Sequence, residues 1–245
     1  MNTKQDLKKI YLDRGFFIIK KFFLKATIDA AKKEIETSKN IDKYFDASGV
    51  IRRVERLYDK GDKLTEINNK IVEKLNNIFY EPYTIFKDKF NAKPPGGEGF
   101  FAHYDGVFIF KDAQGIDKKG WYEYTDVFVN VLVALDPCTK ENGTIEIANA
   151  HNKTFEDLLL NTKQNGTPEI LDEITKKTSF NSIKLDAGDV VVFNNKCPHK
   201  SSKNYSKQSR GTLYYTYTLA KYGSFYNKYF DDKKNSKNDK GKSLS

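Results

Sequence analysis

A chain of 245 residues with 38% hydrophobic and 14% aromatic content can bury one sizeable core, which excludes a disordered or fibrous class. Its 42 basic and 33 acidic residues leave +9 at pH 7, spread along the chain, which fits either a lysine-rich composition bias or attraction to an anion. Two cysteines, Cys138 and Cys197, exclude a disulfide framework, and the chain shows neither a signal-peptide core nor an apolar run near the ~20 residues of a membrane span; a soluble, cytoplasmic protein is expected.

The N-terminal third reads as mostly helical. NTKQDLKKIYLDRG opens with cap-type residues, spaces Leu7, Ile10 and Tyr11 helically and stops at Gly15. FFIIK follows as a strand and ATIDAAKKEIETSK as a second helix. DKLTEINNKIVEKLNNIFYEP predicts a third, with Leu64, Ile67, Ile71, Leu75 and Ile78 on one face and Pro82 past its end.

The character changes near residue 84. Short apolar or alternating runs follow: YTIFKDKFNA, EGFFAHY, VFIF, TDVFVNVLVAL, GTIEIANA, NSIKLD, DVVVFN and TLYYTYTLA. Turn residues separate them at 94–97 (Pro-Pro-Gly-Gly), 142–143 (Asn-Gly) and 187–189 (Ala-Gly-Asp). One helix, NKTFEDLLLNTK, interrupts the series, and there are no internal repeats. The pattern predicts a mainly β fold of jelly-roll type, a double-stranded β-helix, with flanking N-terminal helices. We expect one domain over 1–230, divided into a helical flank at 1–83 and a β core at 84–220. The end, 231–245, is polar and low in complexity and reads as a disordered tail.

Chemistry enters at GGEGFFAHYDGVF (96–108). On a strand, residues i and i+2 share a face, so His103 and Asp105 reach one point. Together they offer a nitrogen and an oxygen to a divalent ion. A third ligand must come from His151 or His199, the other histidines of the chain. His199 lies in CPHKS, just after DVVVF, where a loop could return it to the first pair. Two histidines and one carboxylate on one face leave open positions, as in non-haem Fe(II) oxygenases. An H-x-D triplet alone is common, and its plain reading is a surface turn with an Asp cap. Arg210 strengthens the metal reading: it opens the aromatic run TLYYTYTLA, which would carry a guanidinium into the barrel, where it needs an anionic partner such as the far carboxylate of 2-oxoglutarate.

Three segments in order, KPPGGEGFFAHYD, VFVNVLVALDPCTKENGTIEI and LDAGDVVVFNNKCPHKSSKNYSKQSR, resemble the phytanoyl-CoA dioxygenase family of Fe(II)/2-oxoglutarate oxygenases. The resemblance covers about residues 84 to 220 and, more loosely, the first helix-strand-helix. It implies Fe(II) as metal, 2-oxoglutarate and O2 as co-substrates, and His103, Asp105 and His199 as iron ligands. It also implies that Arg210 and Ser201 hold the far carboxylate of 2-oxoglutarate. The chain departs from the family at Tyr104, where Gln is common, and at TIEIANAH, where a Cys-Leu and PGSH stretch is usual. His151 matches the last histidine of that stretch and reads as ordering its loop. Cys138 and Cys197 read as buried filler. Because the carboxylate at Asp105 is kept, hydroxylation is favoured over halogenation.

The branch containing 2-aminoethylphosphonate dioxygenases is most similar, through KDKFNAKPPGG, the insert FKDAQGIDKKGWYEYTD and the ending YGSFYNKYFDDKK. It implies a small, anionic or zwitterionic substrate. Lys87, Lys89, Asn91 and Lys93 share strand parity and either face a pocket, Lys89 toward 2-oxoglutarate, or line a solvated edge. Asn130, inside a buried apolar run, must hydrogen-bond something; the chelating end of 2-oxoglutarate is one candidate. Trp121 and Tyr122 either shape a lid or pack the insert. Two alternatives stay open: an oxygenase of the same core acting on nucleic acid or protein, and a non-catalytic jelly-roll binding module. Nucleic acid is the less expected partner. The oligomeric state is not legible.

Overall fold

The computed structural model describes residues 4–39, 41–45 and 49–235. The chain runs α1 (Lys4–Arg14), β1 (Phe16–Ile19), α2 (Lys25–Thr37), β2 (Asp42–Phe45), β3 (Ile51–Glu55), α3 (Asp62–Phe79) and β4 (Tyr83–Lys93). It continues as β5 (Phe100–His103), β6 (Phe110–Lys111), β7 (Asp117–Lys118), β8 (Val129–Ala134), β9 (Ile145–Ile147), α4 (Phe155–Leu160) and α5 (Asp172–Lys177). The last elements are β10 (Asn181–Ser182), β11 (Val190–Asn194), β12 (His199–Ser201), β13 (Arg210–Leu219) and α6 (Tyr226–Asn235).

A seven-stranded sheet in the order β1-β11-β8-β13-β4-β3-β2 and a four-stranded sheet in the order β10-β9-β12-β5 form the expected double-stranded β-helix. Every ladder in them is antiparallel. Helices α1, α2 and α3 cover the outer face of the larger sheet. Ile28, Ile35, Leu64, Ile71 and Leu75 pack there with Val131, Val133, Val192, Tyr215 and Tyr217. Between the sheets, Leu132, Ala134, Ile145, Ile147, Val191 and Phe193 form a second apolar cluster, which includes both cysteines. β8 therefore buries both of its faces, and this explains its almost unbroken apolar sequence. Turn chemistry fixes the connections. At Gly188, φ is +89°, and a Cβ would collide with the Phe23 carbonyl. The adjoining Asp189 carboxylate accepts from Lys20 Nζ, Lys21 N and Asp186 N, each at 2.7 Å.

The boundaries differ from the sequence expectation in three places. β1, β2 and β3 belong to the larger sheet, so the segment 1–83 is not only a helical flank. The β2–β3 hairpin was not anticipated, because DKYF and IRRVE are short and charged and DKYF is largely exposed at the sheet edge, so the period-2 signal is weak. The fold also continues past residue 230: α6 reaches Asn235 and buries Tyr226, Tyr229, Phe230 and Lys233. That spacing of i, i+3, i+4 and i+7 is helical, but its fourth member is a lysine inside a polar run. The remainder of the expected tail, 236–245, lies outside the described residues.

Candidate active site

β5 and β12 pair so that His103 and His199 face each other directly across the ladder. Their rings lie 4.1 Å apart, centroid to centroid. Asp105 follows β5 by two residues and shares its inward side, while Tyr104 between them turns away into a separate apolar cluster with Phe155 and Leu158. Asp105 Oδ1 is 3.8 Å from His103 Nε2, and Asp105 Oδ2 is 3.6 Å from His199 Nε2. The three residues are buried, and one ligand atom from each lies within 4.8 Å of the others. Among the described residues this is the group that could hold a metal ion.

The tautomers follow from the partners. His103 Nδ1 bonds the Phe101 carbonyl at 2.9 Å, and His199 Nδ1 bonds the Cys197 carbonyl at 3.0 Å. A carbonyl only accepts, so each Nδ1 carries the proton and each Nε2 lone pair points into the site. Burial, followed by the neighbouring His199, pushes the His103 pKa down to about 3, so the ring is a neutral donor at physiological pH. Burial opposes the Asp105 charge, but His199, His103, Lys89 and Lys87 hold its carboxyl below the usual range. Two imidazole nitrogens and a carboxylate oxygen suit a divalent ion of intermediate hardness, so the donor set fits Fe(II).

Asn130 sits on the inner face of β8. Its amide donates to Asp105 Oδ2 at 2.9 Å, and its oxygen accepts from Thr216 Oγ1 at 2.8 Å. The polar residue in the apolar strand thus fixes a ligand carboxylate. His151 lies outside the metal group; its Nδ1 shares a 2.6 Å hydrogen bond with Tyr104 Oη, beside the loop that the sequence assigned it to order. Asn195, not singled out from sequence, donates to the Asp105 backbone carbonyl at 3.2 Å. Its signal, an Asn just past a strand, is too common to be read alone.

The three ligands open into a cavity of about 410 Å³. At one end, Arg210 is 4% exposed and its Nε has no hydrogen-bond partner among the described residues. Arg210 is opposite Lys93 on β4. Lys93 Nζ donates to Ser201 Oγ at 2.8 Å, to the Ser202 carbonyl at 2.6 Å and to the Gly143 carbonyl of the Asn-Gly turn at 3.3 Å. Burial, then Arg210 and Arg52, lowers the Lys93 pKa to about 7. A buried guanidinium with an orphan donor, beside an amine and a hydroxyl, fits one carboxylate of a diacid.

The other wall comes from β3 and β4. The β4–β13 register slips at Phe86, so Tyr83 and Ile85 face the helices while Lys87, Lys89, Asn91 and Lys93 face the cavity. The lysines therefore line the pocket, not a solvated edge. Arg52 and Arg53 on β3 line it too and were missed with their hairpin. Trp121 closes this side and is 1% exposed. Its ring packs on Gly106, where φ is +79° and a Cβ would lie 2.7 Å from the indole. Tyr122 accepts from Asn195 at 3.0 Å, so the insert is wall as well as packing.

The family model described as phytanoyl-CoA dioxygenase matches residues 11–212. A 2-aminoethylphosphonate dioxygenase from an uncultured bacterium is 28% identical over 244 residues, 94% of this chain and 87% of that protein. A methylphosphonate hydroxylase from Gimesia maris is 30% identical over 168 residues, 68% of this chain and 57% of that protein. Among solved structures, EctD from S. alaskensis with 2-oxoglutarate and 5-hydroxyectoine superposes with a TM-score of 0.69 at 13% identity, covering 90% of this chain and 77% of that one. The 2-oxoglutarate-dependent carbocyclase SnoK of nogalamycin biosynthesis gives 0.67 at 15% identity, covering 89% and 85%. At such identities these two show a common fold.

Proposed function

Since the chain belongs to the phytanoyl-CoA dioxygenase family and is a dioxygenase by that membership, we propose that it hydroxylates a C–H bond of a small phosphonate, with 2-aminoethylphosphonate the leading type. The observation that carries this reading is the convergence of two Nε2 lone pairs and the Asp105 carboxylate on one cavity whose far end holds Arg210, Lys93 and Ser201. The names of the two relatives, both of which act on phosphonates, support the substrate class. A cavity of about 410 Å³ suits a small molecule.

His103, Asp105 and His199 would hold Fe(II). When bound, iron and 2-oxoglutarate supply the oxidation: one atom of O2 enters succinate as the keto acid loses carbon dioxide, and the other becomes the product hydroxyl. The residues of the chain position the reactants. Arg210 offers a planar fork to the far carboxylate, and Ser201, whose oxygen is held by Lys93 and whose hydroxyl proton is free to donate, lines the same cavity. Asn130 holds Asp105 in one rotamer, with its carboxylate beside His103 and His199, where it would take part in holding the metal. Trp121, 1% exposed, closes one side of the cavity against bulk water. The test is succinate release by the protein supplied with Fe(II), 2-oxoglutarate, O2 and 2-aminoethylphosphonate or methylphosphonate. The reading requires succinate that depends on iron and rises with phosphonate; an absence of iron-dependent succinate with both compounds would sink it.

A further inference from the structure

We infer that Lys87 and Lys89 form a second anion subsite in the cavity, which binds the dianionic tetrahedral oxyanion of the primary substrate. The inference rests on the reading of the pocket given above and assigns Lys89 to the substrate instead of to 2-oxoglutarate.

Four observations carry it. Lys87 and Lys89 are two residues apart on one strand and point to the same side, into the cavity that holds His103, Asp105 and His199. Neither ammonium makes a hydrogen bond or ion pair within 4 Å among the described residues; their neighbours are aromatic rings. Lys87 Nζ stands 4.5 Å from the Trp121 ring and 5.3 Å from Tyr229, and Lys89 Nζ stands 5.3 Å from Tyr214. Asp105 acts on both lysines through space but faces His103 and His199, and the other carboxylates near this wall are engaged. Glu55 accepts from Lys233 at 2.8 and 2.7 Å and meets Arg53 Nε at 3.3 Å, while Glu98 accepts from Lys203 at 2.6 Å. Another group in the same cavity suits the co-substrate: Arg210, buried and with an unpartnered Nε, and Ser201 line it as well.

Two ammonium groups held side by side out of water without a contact ion pair are costly, Asp105 offsets only part of that cost through space, and a bound anion removes the rest. A single negative charge answers one lysine. A phosphonate dianion presents three equivalent oxygens and two charges, and so answers both. The low pKa values agree: burial and, for Lys89, the adjacent Lys87 bring them to about 8 and about 7. A phosphate monoester carries the same head group, whereas a sulfonate has the same shape with half the charge.

Anaerobic calorimetry on the protein loaded with Fe(II) and 2-oxoglutarate tests this without turnover. The probes are 2-aminoethylphosphonate, O-phosphoethanolamine and 2-aminoethanesulfonate. The wild type should bind the phosphonate at least tenfold more tightly than the sulfonate. Phosphoethanolamine within threefold of the phosphonate would place recognition in the shared dianion; a wide gap would mark the C–P geometry as the selected feature, with the subsite intact. In Lys89→Met, phosphonate affinity should fall at least tenfold while 2-oxoglutarate affinity changes less than threefold, and Lys89→Arg should recover part of the loss. Equal binding of phosphonate and sulfonate by the wild type, which needs no variant to fold, would overturn the inference. So would a Lys89→Met protein that loses 2-oxoglutarate and keeps the phosphonate. Succinate formation with an unaffected Lys89→Met would leave the dioxygenase reading standing and this subsite refuted. Lysine-dependent phosphonate binding without any succinate would do the reverse.

Discussion

Asn130 donates to the Asp105 carboxylate and accepts from Thr216, so it orients one member of the candidate metal group. Asn130→Ala should lower Fe(II) affinity about 10–100-fold, the range for partners of metal ligands. Thr216→Val should cost less, since it removes only the bond that steadies the amide; anaerobic metal titration of the two variants ranks them. Arg210→Lys keeps charge but loses the fork, so 2-oxoglutarate should bind more than tenfold more weakly, on the order of 1.5–3 kcal/mol, with Fe(II) affinity nearly unchanged. Unaltered 2-oxoglutarate binding in that variant would remove Arg210 from the site. Lys87 makes a prediction about stability. Burial lowers its folded pKa to about 8, below its ordinary 10.5, so the unfolded chain binds more protons between those values. Stability from this group is therefore lowest below about pH 8 and recovers as pH rises toward 10.5. Lys87→Met should raise Tm in metal-free protein at pH 7, by at most about 2–3 kcal/mol of stability, and the gain should shrink near pH 10. An equal gain at both pH values would show that charge burial is not the cause.

At the scale of elements, the pairing of His103 with Asp105 was legible because a strand's two-residue period is robust over three positions. Period alone put His103 and Asp105 on one face, while the metal reading also needed His199 and the downstream segment with Arg210. The lysine wall was less so. Lys87 to Lys93 share parity in sequence, but which side they face depends on the slip at Phe86, and a bulge leaves no reliable mark in one sequence. β12 spans three residues and exists because β5 and β9 flank it, so tertiary pairing, not propensity, makes it a strand. Helix α6 was hidden for a different reason: its contact with the sheet is ionic as well as apolar. Lys233 pairs with the buried Glu55 from β3, Tyr226 Oη donates to Asp88 at 2.8 Å, and Tyr124 Oη donates to Asp232 at 2.7 Å. Removing one partner of a buried pair leaves a stranded charge. Lys233→Met should therefore destabilise by about 3–5 kcal/mol, and adding Glu55→Gln should return much of that loss. Denaturant unfolding of the two singles and the double measures the coupling; strictly additive effects would show that α6 is not held by this pair.

Across the whole molecule, the fold places polar residues on the inner faces of strands whose outer faces are apolar. β13 carries Arg210, Tyr214 and Thr216 toward the cavity and Leu213, Tyr215 and Tyr217 toward the helices. β8 does the same with Asn130 against Val131 and Val133. The helices supply burial that the larger sheet cannot find on its own, which leaves the inner faces available for a charged cavity. The site is thus a feature of the assembled barrel, with the candidate metal group on the paired β5 and β12 and the loop after β5, and cations from the opposite sheet. The most direct measurement is optical. Anaerobic protein loaded with one equivalent of Fe(II) is titrated with 2-oxoglutarate, and the visible charge-transfer band that arises when the keto acid chelates iron is followed. The wild type should develop the band to saturation at one equivalent, and His103→Ala and His199→Ala should not, although they fold. A band of equal intensity in His103→Ala, or none in the iron-loaded wild type, would contradict the assignment of this centre.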